Sequence, residues 1–164
     1  MAGPAEQEEY RRDASVLDTG CLYRGEASMD EFATVDANKG AKVPEKLTAL
    51  FNDAEKVRVQ SLPCALPGLN SKAVHFAAGA RTMPHRHAEG QHIVVTDGVG
   101  VVADENAVQV VRAGDVVTNP PGGWHWHGAT PTTPMSHVTV EDPGLDLDVE
   151  RRDWDEVYTD DLGK

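Results

Sequence analysis

Three histidines and one glutamine in this chain are spaced so that they can share one metal ion. His85, His87 and Gln91 fall in the pattern G-(x)5-H-x-H-(x)3-Q-(x)6-G, which covers residues 79–98. His125 ends a second pattern, G-(x)5-P-x-G-(x)2-H, which covers residues 114–125. Imidazole nitrogens and amide oxygens are common ligands of divalent transition metals. The joint spacing therefore predicts one divalent ion bound by His85, His87, Gln91 and His125.

Short β-strands are the elements that would bring these ligands together. Residues two apart on a strand point to the same face, so His85 and His87 can both reach into one lumen. Gln91 stands near the start of the next predicted strand, and His125 comes from a separate hairpin. A single strand histidine is more often an ordinary polar residue than a ligand, but five of the seven histidines fall between residues 85 and 127.

The neutral charge of this ligand set has a chemical consequence. Three imidazoles and an amide leave the full +2 charge on a divalent ion, which favours Lewis-acid chemistry at a substrate oxygen. The two-histidine, one-carboxylate triad of many iron oxygenases is absent. Both points favour non-redox lyase, isomerase or cyclase chemistry, although three-histidine iron sites leave oxygen chemistry open.

Three further residues are candidates for acid–base catalysis. His127 has the same strand parity as His125, so it can face the same lumen either as a base or in a supporting hydrogen bond. His137 lies on a late predicted strand, and Glu141 follows on the same face. One of these groups would be the general base.

Other polar residues near the pattern receive weaker interpretations. His75 and His92 have the parity of outward-facing strand residues. Lys72 has inward parity, but an exposed lysine at a strand end is the favoured interpretation over one at the barrel mouth. Glu89 would replace Gln91 as a ligand only if the intervening turn differs from expectation.

Residue composition and predicted secondary structure divide the chain into three parts. Residues 1–56 are expected to form short helices and loops, at 6–12, from Ser28 and from Pro44; the last of these carries Leu47, Leu50 and Phe51 on one face. Residues 57–142 are expected to form a β-barrel. Residues 143–164 are an acidic C-terminal segment with a predicted short helix at 152–160.

Regularly spaced apolar runs between turn residues predict an all-β sandwich or barrel for the middle part. Asp97-Gly98 predicts a hairpin turn, and residues 113–115 predict another tight turn. Because no internal repeat is evident, we expect a single barrel. The predicted strands are Val57–Leu62, Lys72–Ala77, Gln91–Thr96, Val99–Ala103, Val108–Arg112, Val116–Thr118, Trp124–His127 and Ser136–Glu141.

Composition excludes several classes of function. The 164 residues include 27 acidic and 15 basic side chains, for a net charge of −12, which argues against binding nucleic acid or anionic membranes. No apolar run of about 18 residues predicts a membrane helix. The N-terminus lacks the basic and apolar stretches of a secretory signal, so we expect a cytoplasmic protein. Cys21 and Cys64 are expected to be free thiols, with a disulfide between them left open.

The metal pattern resembles the cupin family over about residues 58–142. His85, His87 and His125 match the usual cupin histidines, and the cupin turn positions are matched by Gly79, Gly98, Gly114, Pro120 and Gly122. The resemblance implies a single antiparallel jelly-roll barrel with a metal in its lumen and frequent homodimerisation. Two departures are Gln91, where most cupins have Glu, and Ala129, where the second motif commonly ends in Asn.

A narrower resemblance is to small bacterial single-domain cupins, including the manganese-dependent hydroxynitrile lyases. It is carried by Gly79-Ala-Arg-Thr, by the ligand set and by residues 125–137, where His137 falls at the matching Met-Ser-His position. It implies a lyase acting on a small carbonyl or hydroxy compound, with manganese ahead of iron, zinc, nickel or cobalt and with His137 as the base. A mononuclear iron dioxygenase, a polyketide cyclase or isomerase, and a non-enzymatic ligand-binding cupin are the alternatives.

Overall fold

A computed structural model describes residues 34–64, 66, 68–147 and 158–159. The helices expected at 6–12 and from Ser28 lie outside these residues. So does most of the one expected at 152–160, whose two described residues, Tyr158 and Thr159, belong to neither helix nor strand. Within the described part, no helix has the length and apolar character needed to cross a membrane.

The regular elements of the described chain are almost all β-strands, as the sequence predicted. Six of the eight predicted strands are present with their ends moved by at most two residues, and the two predicted on either side of Asp97-Gly98 are parts of one strand. The strands are β1 (Ala41–Lys42), β2 (Val57–Leu62), β3 (Asn70–Phe76), β4 (His85–Arg86), β5 (Gln91–Asp104), β6 (Val108–Arg112), β7 (Val116–Asn119), β8 (His125–Ala129), β9 (Met135–Glu141) and β10 (Asp146–Leu147).

The long strand β5 joins two groups of antiparallel strands into one curled sheet. Its first part, from Gln91 to Gly98, pairs with β7 and β9, and β9 continues the ladder to β3, β2 and β1. Its second part, from Val99 to Asp104, pairs with β6 and β8, and β8 continues to β4 and β10. This curled antiparallel half-barrel confirms the predicted all-β fold.

The hairpin predicted at Asp97-Gly98 is wrong, because β5 continues through these residues without reversing direction. The ladder to β9 shifts register between Val95 and Asp97, which marks a β-bulge. Gly98 has a φ of +75°, and a Cβ there would lie 2.0 Å from the carbonyl oxygen of Pro134. The glycine therefore lets the strand bend between the two groups of strands. The reversal comes later, where the Asp104 carboxylate accepts hydrogen bonds from two backbone N–H groups.

The segment before the barrel packs against it. A short 3-10 helix, Glu45–Leu50, begins after Pro44, and its Leu47 is buried. Phe51 lies at the end of this helix with its ring 6.0 Å from that of Phe76 on β3. The backbone N–H of Met83 donates to the Leu50 carbonyl at 2.7 Å. These contacts place an apolar wall beside the lumen.

Strand β8 separates the lumen from a second apolar cluster. His125 and His127 face the lumen, whereas Trp126 between them is fully buried on the opposite face with Val101 and Ala103. The Tyr158 ring packs edge-on to Trp126, with centroids 5.8 Å apart. This packing fixes β8 from behind and so holds the two histidines in place.

Candidate metal centre

Three buried imidazoles converge in the lumen. His85 and His125 are direct cross-strand neighbours on β4 and β8, and His87 follows immediately after β4. Their ligand atoms all lie within 4.8 Å of one another. The three side chains are almost completely buried. The sequence pattern that joined His85, His87 and His125 therefore corresponds to one compact cluster that could bind a metal ion.

Backbone carbonyls set the orientation of each of these rings. The Nδ1 atoms of His85, His87 and His125 lie 2.9, 3.0 and 2.9 Å from the carbonyl oxygens of Met83, Gly144 and Gly123. A carbonyl oxygen can only accept, so each Nδ1 carries the proton and donates it. Each Nε2 then keeps a free lone pair, which is the arrangement that metal-binding histidines commonly have.

Gln91 adds an amide oxygen to the cluster. It is the first residue of β5, opposite Asn119 of β7 on one side and Glu141 of β9 on the other. Its Nε2 donates to the Glu141 carboxylate at 2.7 Å, and its Oε1 accepts from Asn119 Nδ2 at 3.2 Å. An ionised carboxylate only accepts, so Glu141 turns the amide nitrogen toward itself and the amide oxygen toward the histidines.

The contact between Gln91 and His125 fits a bound cation. Gln91 Oε1 lies 3.0 Å from His125 Nε2. Burial lowers the pKa of His125 to about 4, so its ring is neutral near pH 7, and burial likewise lowers the pKa of His85. Two acceptor atoms then face each other without a proton between them. A positive ion shared by both atoms resolves this repulsion, so the residues present fit one divalent metal.

A buried ion pair lies directly behind Gln91. The Lys72 ammonium contacts the Glu141 carboxylate, and the two side chains are 15% and 6% exposed. Thr139 Oγ1 also donates to Glu141 Oε2 at 3.0 Å. Burial alone would raise the pKa of Glu141, but the Lys72 charge and the hydrogen bonds it accepts hold that pKa well below its usual range. The favoured interpretation of Lys72 as an exposed lysine was wrong, because Glu141 draws its ammonium into the lumen wall.

Two further imidazoles share the lumen with the triad. His127 and His137 are buried, and none of their four ring nitrogens has a hydrogen-bond partner among the described residues. The His127 ring centroid lies 5.3 Å from that of His85 and 5.0 Å from that of His137. Burial lowers the pKa of His137 to about 4 and also lowers the pKa of His127. Both are therefore neutral near pH 7 and able to accept a proton.

The cavity beside these histidines is lined by both polar and apolar side chains. Its polar lining includes the triad residues His85 and His87, together with Gln91, His127 and His137. Apolar side chains come from the helix Glu45–Leu50, from β2 and β3 and from the loop after β9. Its apolar lining consists of Leu47, Leu50, Phe51, Val59, Val74, Phe76 and Leu145.

The remaining polar residues from the sequence analysis lie outside the cluster. His75 points away from the lumen, with its ring nitrogens 2.9 Å from Ser136 Oγ and 2.8 Å from the Ala37 carbonyl oxygen. His92 is exposed, and Glu89 does not belong to the histidine cluster. Sequence reasoning missed Asn119, whose only signal was its position one residue before Pro120 of the second pattern.

Comparison with known proteins gives two findings from sequence. Residues 73–141 match the family model Cupin_2, described as a cupin domain. A segment of 89 residues is 45% identical to an (R)-mandelonitrile lyase from Granulicella tundricola. That match covers 54% of this chain and 66% of the relative, slightly less than two thirds of its length.

Solved structures give the same fold. A cupin-like protein from Thermotoga maritima aligns with a TM-score of 0.64 and 27% identity, covering 76% of this chain and 96% of that one. A polyketide cyclase from Streptomyces resistomycificus aligns with a TM-score of 0.61 and 15% identity, covering 75% and 89%. At that identity the second likeness concerns the fold alone.

Proposed function

We propose, from the match of residues 73–141 to the cupin domain model, that this protein is a metal-dependent lyase that cleaves or forms cyanohydrins of small carbonyl compounds. The observation that carries the proposal is the pair of unpartnered, neutral imidazoles, His127 and His137, in the same cavity as the histidine triad. The 45% sequence identity to a mandelonitrile lyase also supports this proposal.

The ion would be held by His85, His87, His125 and the amide oxygen of Gln91. The resemblance to hydroxynitrile lyases favours manganese, whereas three imidazoles and an amide oxygen do not by themselves select one divalent metal. When bound, the ion supplies a Lewis acid for a substrate oxygen.

The cavity walls would orient the substrate. The apolar side chains, among them Leu47, Leu50 and Phe76, suit an aryl or alkyl substituent, because burying that group there removes apolar surface from water. The hydroxyl oxygen of a cyanohydrin would then face the histidines. An apolar lining with a few polar groups favours a small molecule with a single hydrophobic substituent.

His137 would move the proton. In the cleavage direction a neutral ring nitrogen of His137 accepts the hydroxyl proton, the O–H electron pair forms the C=O bond, and the C–CN bond breaks to release cyanide. The imidazolium then returns the proton to cyanide, which leaves as hydrogen cyanide. His127, edge-on to His137, would stabilise this ring in its working orientation. The reaction consumes no oxygen and transfers no electrons to or from the protein.

A substrate panel under argon tests the proposal. Manganese-loaded protein would be mixed with mandelonitrile and with aliphatic cyanohydrins of increasing size, and aldehyde release would be followed over the uncatalysed rate. We expect turnover of at least one cyanohydrin without oxygen. Turnover of none of them would contradict the lyase, and turnover that begins only when oxygen is admitted would favour the dioxygenase alternative.

A further inference from the structure

A chain of three side chains leads from the candidate metal centre into the lumen wall. Gln91 directs its amide oxygen toward His125 and donates its amide N–H to Glu141. Glu141 in turn contacts the ammonium of Lys72. Glu141 is the direct cross-strand neighbour of Gln91, and Lys72 reaches it from the adjacent strand β3.

We propose that Glu141 supplies the negative charge that the four neutral ligands lack, acting through the amide of Gln91, and that Lys72 limits how much of this charge the ion receives. Both are positioning residues and neither is a ligand. The inference rests on the metal centre of the proposed function and goes beyond it by assigning control of metal affinity to an ion pair.

Glu141 acts on the ion both through the amide of Gln91 and directly through space. A carboxylate that accepts the N–H of an amide draws electron density onto the amide oxygen, which makes that oxygen a stronger ligand. Glu141 Oε2 also lies only 3.9 Å from His87 Nε2, so its charge acts directly across the centre. Because the side chain is 6% exposed, water screens this charge weakly.

Lys72 acts on the ion in the opposite sense to Glu141. Its ammonium is the counter-ion of Glu141 and is itself repelled by a cation in the lumen. Removing the ammonium leaves a buried carboxylate without compensation, which is unfavourable in the metal-free protein. Binding of a cation then relieves that cost. Loss of the Lys72 charge should therefore tighten metal binding, whereas loss of the Glu141 charge should weaken it.

Opposite changes in metal affinity in the Lys72 and Glu141 variants distinguish control of the ion from a purely structural role of the ion pair. An ion pair that only stabilises the fold would give two variants that are both less stable and that change metal affinity in the same direction or not at all. Opposite effects of two adjacent substitutions on one dissociation constant require that the ion responds to their charges.

The test is the dissociation constant of Mn²⁺ alone, measured on the full-length chain by the electron paramagnetic resonance signal of the free ion. Glu141→Gln should bind Mn²⁺ roughly 10- to 100-fold more weakly than wild type, the usual effect of removing a group that orients a ligand. Lys72→Met should bind it several-fold more tightly. The Lys72→Met/Glu141→Gln double variant should lie between Glu141→Gln and wild type.

A matched control comes from an exposed ion pair. Lys42 Nζ and Glu55 Oε2 are 3.0 Å apart, and their side chains are 75% and 80% exposed. Lys42→Met and Glu55→Gln make the same chemical changes where water screens them, so both should bind Mn²⁺ as the wild type does.

The outcomes separate the metal centre from the control of its affinity by the Lys72–Glu141 pair. If the wild type binds Mn²⁺ and the Lys72 and Glu141 variants match it, or both bind more weakly, the inference fails and the metal centre stands. If the wild type binds no Mn²⁺, the metal centre and the inference fail together. Should Lys72→Met not fold, the double variant, which carries no unpaired charge, must still bind more tightly than Glu141→Gln; a weaker affinity would overturn the proposal.

Discussion

The His137 ring lies edge-on to the His127 ring, with centroids 5.0 Å apart, and none of the ring nitrogens has a hydrogen-bond partner among the described residues. Buried polar groups are nearly always hydrogen-bonded, so two adjacent exceptions in one cavity point to a ligand that completes them. In the proposed reaction that ligand is the substrate, and His137 is its base.

Replacing His137 by Ala should leave metal binding intact and remove the base. We expect activity to fall by about 100- to 10,000-fold, the usual contribution of a well-placed acid–base group. Steady-state kinetics and elemental analysis of the same preparation check both statements. His92→Ala, which removes an exposed histidine from β5, is the control and should keep wild-type activity.

Normal turnover by His137→Ala would exclude His137 as the base. If His127→Ala alone abolished activity while keeping its metal, the base would be reassigned to His127. That result would leave the proposal of a metal-dependent lyase unaffected.

Removing a ligand histidine should remove the ion. We expect His87→Ala and His125→Ala to lose most of their metal after dialysis, because each deletes one of the three imidazoles whose ligand atoms converge at the site. Inductively coupled plasma mass spectrometry gives the occupancy. His75→Ala is the matched control, since His75 is partly buried but bonded to Ser136 and Ala37 outside the lumen. Full occupancy in both ligand variants would disprove the assignment.

The stability of the protein should fall as the pH is lowered from 6.5 to 4. In this range His137 is protonated in the unfolded chain but neutral in the folded one. Burial lowers the pKa of His137 to about 4, below its unfolded value of 6.5. Between these values the unfolded state binds more protons, so the free energy of unfolding decreases as the pH falls from 6.5 to 4. The full loss from this one group is about 3 kcal/mol.

Urea unfolding at a series of pH values measures this dependence. His137→Leu should show a shallower decline from pH 6.5 to 4 than the wild type. His92→Leu, at an exposed position, should follow the wild-type curve. A His137→Leu curve parallel to that of the wild type would show that His137 does not cause the decline.

Sequence reasoning brought the histidines together because alternation along a strand depends only on the local backbone. It failed at Asp97-Gly98, where the local signal for a hairpin is real but the strand continues through the glycine, just after a bulge between Val95 and Asp97. Continued pairing of Asp97 and Gly98 with β9 keeps the strand extended. A short turn motif carries no information about that partner strand.

The sequence also could not show the partners of Gln91 and Lys72. Glu141 and Asn119 lie 50 and 28 residues from Gln91 along the chain, and only the register of β7, β5 and β9 makes them neighbours. The sequence correctly gave Lys72 the parity of an inward-facing residue. Whether its ammonium would be buried depended on a carboxylate within reach, and the sequence did not show that Glu141 provides one. Register across three strands is a property of the whole sheet.

The apolar wall from the 3-10 helix should control the size of the substrate. Leu47→Ala removes a buried side chain that lines the cavity and should cost about 2–5 kcal/mol of stability. The added space should raise the rate with bulky cyanohydrins relative to small ones, without changing metal content. Relative kcat/KM across the substrate panel tests this. Leu66→Ala, at a side chain that is 58% exposed, is the control.

An unchanged substrate preference in Leu47→Ala, in a variant shown to be less stable, would mean that this wall stabilises the barrel without contacting the substrate.

The central claim is tested most directly by the initial rate of benzaldehyde release from mandelonitrile under argon. Three samples suffice: manganese-loaded wild type, the same protein stripped with a chelator, and His87→Ala treated with manganese. The account predicts cleavage above the uncatalysed rate in the first sample only, and its recovery when manganese is returned to the stripped protein. Equal rates in all three samples, or a fully loaded wild type that turns over only after oxygen is admitted, would contradict it.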